Sequence, residues 1–129
     1  MSAFADRTPV LAVALENPFH KLRYPEKGGT TAVVDTGYEG FVAVPPRVFE
    51  ELSLGELATS RRVRTADGRM IESRLALSTV LLPDLDITLD GHVETMAGLS
   101  EILVGTAFLS RFSVSLDYCL RTARMQQCR

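Results

Sequence analysis

Short apolar and β-branched runs, several alternating with polar residues at a period of two, dominate this chain and predict strands rather than long helices. Pro9 to Leu15 is the first such run. Thr30 to Val34 is β-branched and apolar, as a buried strand requires, and Phe41 to Val44 is a third, shorter strand. Between the first two, Glu16 to Gly29 carries Asn17-Pro18, Pro25 and Gly28-Gly29, and reads as a long loop or a loose hairpin. Pro46 suits the first turn of a helix, where its missing N–H is no loss, and the helix is expected to continue from Arg47 to Leu54.

Arg61 to Ala66 and Arg69 to Leu82 flank Asp67-Gly68, a dipeptide whose tolerance of positive φ favours a tight hairpin turn. Along the descending arm Ile71, Ser73, Leu75, Leu77, Thr79 and Leu81 share one face, and Glu72, Arg74, Ala76 and Ser78 the other. Near the tip both faces mix polar and apolar residues, so this end is expected to project from the core. Pro83 ends the arm. Leu85, Ile87 and Leu89 alternate again, and Gly91 is expected to break that strand. Ile102 to Val104 is apolar; Gly105 follows, then one or two helical turns over Ala107 to Arg111 and a last clear strand, Ser113 to Tyr118. Arg121 to Arg129 has few apolar residues and reads either as a frayed tail or as an edge strand used for pairing. The pattern is all-β with one or two short helices.

A length of 129 residues with 46% hydrophobic residues predicts one domain over residues 1–129, with 1–8 and 121–129 as flexible or dimer-forming termini. A net charge of −2 argues against a nucleic-acid partner, since phosphate binding needs a positive excess. Arg61, Arg62, Arg64, Arg69 and Arg74 do cluster; a solvated strand face is the plainer reading and an anionic-ligand patch the alternative. Asp84, Asp86, Asp90 and Glu94 lie downstream, placed to neutralise them. The N-terminus lacks a basic start followed by an apolar core, and no apolar run approaches the ~18–20 residues of a membrane span, so a cytoplasmic protein without a membrane partner is expected. Cys119 and Cys128 then read as free thiols. His20 and His92 have no second ligand at chelating spacing, and no metal or other cofactor is expected.

Asp35-Thr36-Gly37 is the candidate chemistry. It follows Ala32-Val33-Val34, so a carboxylate at the end of a buried strand is held on a turn beside a hydroxyl and a residue without Cβ. An ordinary strand-end turn is the other reading of the triplet. About seventy residues later comes Ile102-Leu103-Val104-Gly105-Thr106-Ala107-Phe108-Leu109, an apolar strand, a Gly and a short helix that suit packing against such a loop.

From about Thr30 to Tyr118 the chain resembles the retropepsin-like aspartic proteases, with strand and triplet, hairpin, apolar-apolar-Gly segment and closing strand in the family's order. The resemblance implies a closed β-barrel lobe and an aspartic endopeptidase. Its members hydrolyse peptides with two carboxylates sharing one proton, one taking a proton from water and the other donating to the scissile carbonyl. Only one such triplet occurs, so the resemblance implies a homodimer acting on a polypeptide substrate. It assigns Asp35 as the shared acid and base, Thr36 as a hydroxyl reaching across the dimer axis, and Gly37 as room for substrate backbone. Ala66, Asp67 and Gly68 take the place of the flap, Leu103 lines the cleft, and Gly105 permits close chain crossing. Three positions depart from the family's pattern. Tyr38 replaces Ala or Ser and is expected to crowd a subsite or tilt the loop; Glu39 and Thr106 replace the Asp and Arg that pair in viral members. Gly40 adds flexibility. An alternative function is therefore a binding or assembly module that keeps the fold without efficient hydrolysis. A Ser or Cys nucleophile has little behind it: there is no Gly-x-Ser-x-Gly elbow, and the cysteines are terminal with no His nearby.

Overall fold

A computed structural model of the chain describes residues 2–57, 60–65 and 67–128. In chain order the strands are β1 (Ser2–Ala5), β2 (Thr8–Glu16), β3 (Arg23–Tyr24), β4 (Thr30–Val34), β5 (Val42–Ala43), β6 (Arg61–Arg64), β7 (Met70–Leu82), β8 (Ile87–Thr95), β9 (Ile102–Val104), β10 (Phe112–Asp117) and β11 (Thr122–Gln127). Two short helices join them, α1 (Pro46–Glu51) and α2 (Thr106–Leu109).

β2 is long enough to serve two neighbourhoods. Val10 to Val13 pair antiparallel with β4, while Ala14 to Glu16 pair with Leu81 to Thr79 of β7. That second pairing closes a ring of 6 strands, β2–β4–β9–β5–β8–β7. Inside it, Val13, Val42, Val44, Val80, Val93 and Val104 are fully buried. Phe108 fills one end, edge-on to Phe41 at 5.3 Å and tilted against Phe112 at the same distance. Each such ring removed from water contributes about 1.5–3 kcal/mol.

In one place the strands differ from the sequence reading, and in another they decide what it left open. Gly91 does not break β8, which runs on to Thr95 in unbroken register with β7. The Gly is needed for space: a Cβ there would lie 2.4 Å from the Phe41 ring. Along β7 the core takes the less apolar face. Ala76, Ser78, Val80 and Leu82 point into the barrel, while Leu77 is 39% exposed. The interior at this height admits only small side chains, and Ser78 is satisfied by its hydroxyl donating to the Glu16 carbonyl at 3.1 Å.

The other connections follow from local chemistry. α1 starts at Pro46 as expected and ends at Glu51, earlier than the pattern suggests, because Ser53 takes a positive φ of 47° and turns the chain. Residues 16–29 form the loose hairpin, with β3 on β2. Asn17, buried, fastens it to the end of α1 by donating to Leu52 O at 2.9 Å and Ser53 O at 3.1 Å. The last segment is strand β11, which pairs with β10 on one side and β1 on the other.

Candidate active site

β4 and β9 run parallel, so both end at the same rim of the barrel, and β9 separates β4 from β5. The chain from Asp35 to Phe41 must therefore cross over the end of β9 to reach β5. That crossing is pinned by backbone hydrogen bonds. Asp35 N–H donates to Val104 O (3.0 Å), Gly105 N–H to Phe41 O (3.1 Å), Thr106 N–H to Tyr38 O (2.8 Å) and Ala107 N–H to Gly40 O (3.3 Å). Gly105 makes the crossing possible, since a Cβ on it would lie 2.3 Å from Gly40 O and 2.5 Å from Tyr38 O. These are backbone atoms that cannot swing aside. Gly105→Ala is expected to lower stability by about 3 kcal/mol. Gly55→Ala, at a position where a Cβ meets nothing, is expected to be close to neutral; urea midpoints of the two variants make the comparison.

The loop presents Asp35 half-buried, with Thr36 and Gly37 exposed. Its Oδ1 accepts the Gly37 N–H at 2.9 Å, an Asx turn, while Tyr38 N–H closes the turn onto Asp35 O at 3.1 Å. Neither Asp35 Oδ2 nor the Thr36 hydroxyl has a hydrogen-bond partner among the described residues. Asp35, Gly37, Tyr38 and Leu103 line a cleft of about 770 Å³. Across it stand Arg61 to Thr65 and Met70 from the β6–β7 hairpin, with Met96 and Leu99 at one side. Asp67 and Gly68 form the hairpin tip, where Thr65 N–H bonds to Arg69 O at 2.8 Å and Gly68 has φ 85°. They do not line the cleft, and Ala66 lies outside the described residues. The Thr65 hydroxyl and the Arg69 N–H both donate to the exposed Asp67, holding its carboxyl below the ordinary range.

Tyr38 lines the cleft with little of its surface. Its ring turns under the loop and is 6% exposed. Gly40 leaves the room for it, because a Cβ there would overlap the Tyr38 hydroxyl. That hydroxyl donates to Oε1 of Glu94, itself 1% exposed. Arg61 grips the same carboxylate through Nε (2.9 Å to Oε2) and a terminal nitrogen (2.6 Å to Oε1), and Ser73 Oγ donates to Oε2 at 2.6 Å. Burial alone raises the Glu94 carboxyl, but the donors from Arg61, Ser73 and Tyr38 outweigh it and leave it below its ordinary value. Burial, then the neighbouring Glu94, push the Tyr38 phenol upward, so it stays protonated and donating. One buried acid thus ties the crossing loop, β8 and the base of the hairpin together.

The sequence places Glu94 among the acids able to neutralise the arginines, as its ion pair with Arg61 bears out, but does not reveal the site it shares with Tyr38 and Ser73. Its members are separated by 56, 33 and 21 residues, and Arg61 looks like one more charge on a wet strand. The single signal is Glu94 itself, an acid beside Val93 on a strand whose partner region is rich in arginine. Among the described residues no group of three His, Cys, Asp or Glu could hold a metal ion, and no helix is long and apolar enough to cross a membrane.

No protein-family model matches the chain. Over 126 residues it is 42% identical to an uncharacterized protein of Archaeoglobus fulgidus, the match covering 97% of this chain and 98% of that protein. It is also similar to the crystal structure of a retropepsin-like aspartic protease from Rickettsia conorii, with a TM-score of 0.55 and 16% identity over 91% of this chain and 82% of that one. The likeness is one of fold: the closed, mostly β barrel with short helices expected from the sequence is the retropepsin-like lobe.

Proposed function

We propose that this chain, which belongs to the same family as the Archaeoglobus fulgidus protein and has the retropepsin-like fold, is an aspartic endopeptidase that works as a homodimer. The observation that carries the reading is the placement of Asp35. Its carboxylate sits on a loop fixed by four backbone hydrogen bonds, one oxygen held by Gly37 N–H, at the floor of a cleft of about 770 Å³. A single chain supplies one such acid. Two chains related by a two-fold axis through this loop bring the Asp35 carboxylates together, and like charges that close share one proton. The ionised acid then draws a proton from a water held between them as that water attacks the peptide carbonyl. The protonated acid donates to the carbonyl oxygen, so the tetrahedral species forms without a covalent enzyme intermediate. Thr36, exposed at the loop apex, is placed to hydrogen-bond across the axis. Gly37 leaves the substrate backbone room, while Tyr38 and Leu103 wall the cleft. The β6–β7 hairpin, with Asp67 and Gly68 at its tip, is the element that folds over the bound peptide and excludes water.

One observation favours a second reading, a module that binds peptide without cutting it: each chain on its own has half a dyad. Dilution separates the two. Peptide-library digestion followed by mass spectrometry, from acid to neutral pH, is expected to show cleavage whose rate per chain rises with protein concentration until dimers saturate. No cleavage at any pH or concentration leaves the binding module and ends the protease reading.

A further inference from the structure

The hairpin and its flanks carry five arginines, Arg61, Arg62, Arg64, Arg69 and Arg74, and the structure sorts them. Arg61 is engaged by Glu94 at 2.6 Å, Arg69 by Asp67 at 3.0 Å, and Arg74 by Glu50 at 2.7 Å and Glu56 at 2.8 Å. Arg62 and Arg64 form no ion pair among the described residues, although both are exposed and Arg62 stands opposite Glu72 in the β6–β7 register. Both line the cleft that holds Asp35. Among the described residues β6 ends the sheet and pairs only with β7, which leaves its outer edge open along this wall. Arg62 and Arg64 are two residues apart on one strand, hence on one face and about 6.7 Å apart along it. The acids on the cleft floor, Asp35 and Glu39, come from the crossing loop; the wall is basic in a chain whose net charge is −2.

We propose that Arg62 and Arg64 select the substrate: an extended peptide carrying Asp or Glu at two alternate positions. The spacing is the reason for the pattern. Alternate side chains of an extended peptide leave one face about 6.7 Å apart, the same interval at which Arg62 and Arg64 leave β6. A carboxylate accepts two parallel N–H bonds from a guanidinium fork, and a neutral or basic side chain does not. The inference rests on the protease reading for what happens to the peptide, but not for which peptide is held.

The test uses three peptides with one apolar frame, carrying Glu-x-Glu, Gln-x-Gln or Lys-x-Lys. Binding is read by fluorescence anisotropy on the Asp35→Asn protein, and cleavage on the wild type. The Glu peptide is expected to be favoured about threefold to tenfold over the Gln peptide, with the advantage shrinking as salt is added. In the double variant Arg62→Glu, Arg64→Glu the order is expected to reverse toward Lys-x-Lys, with an unchanged circular dichroism spectrum. The single variant Arg64→Gln, at an exposed position, is expected to lose about half of the preference on a logarithmic scale. Equal binding of the three peptides, or the same order in wild type and variants, overturns the assignment. Cleavage without acidic preference ends this proposal and leaves the protease standing. Acidic preference in binding with no cleavage by the wild type does the reverse.

Discussion

Asp35→Asn is expected to abolish peptide cleavage, by about 10³-fold or more, while leaving the fold and the dimer unchanged. The amide keeps the shape of the acid, and its oxygen can still accept the Gly37 N–H now bonded to Asp35 Oδ1 at 2.9 Å, so the turn survives. What is lost is the shared proton, because an amide neither takes a proton from water nor gives one to a carbonyl. Mixing makes the sharper test. If wild type and variant exchange subunits at equal amounts, about one quarter of the dimers carry two Asp35 residues. Activity per wild-type chain is then expected to fall by about half, measured after the mixture has equilibrated. Activity that simply scales with the amount of wild type places the whole site within one chain and removes the two-fold dyad.

Glu94→Ala is expected to be the most damaging change away from Asp35, with a loss of about 3 kcal/mol in urea unfolding and a melting temperature lower by about 10 °C. The substitution removes the acceptor of three donors, from Arg61, Ser73 and Tyr38, and leaves a cavity in their midst. Arg61, whose side chain is 36% exposed, can turn toward water and limits the loss; the Tyr38 hydroxyl is buried and has no such route. Glu94→Gln keeps the shape and isolates the charge. Because the folded-state Glu94 lies below the ordinary 4.5, its contribution is fully present above that value. It is lost as the pH falls through the folded-state value. The stability gap between wild type and Glu94→Gln is therefore expected to be widest near neutrality and to close in acid. A gap independent of pH places the effect in packing rather than in the ionised carboxylate.

These two acids also mark how far the sequence could be read. The turn at Asp35 was legible from local context, the apolar run before it and the Gly two residues after it, and its packing partner from the apolar segment that ends at Gly105. The Asp67-Gly68 turn was legible for the same reason, and Gly68 has the positive φ of 85° that such a turn requires. Glu94 was not. Its role depends on where β8 lies relative to β6 and the crossing loop, and pairing between distant strands leaves no periodic trace. The faces of β7 were distinguishable but not assignable to core or surface, for a related reason. Alternation shows that two faces differ, but which one the barrel encloses depends on the volume available, and here the interior takes Ala76 and Ser78 and leaves Leu77 half outside. Tyr38 reads as an obstruction only as long as its partner is unknown.

The position of β11 bears on how two copies of this chain can meet. It has a hydrogen-bonded strand on each flank, both from its own polypeptide. A sister molecule cannot thread its tail into that ladder without first prising it open. Among the described residues the sheet edges open to such a contact include those of β10 and β6. On the proposed reading, association of that kind follows abundance, so sparse molecules would idle and crowded ones would cut.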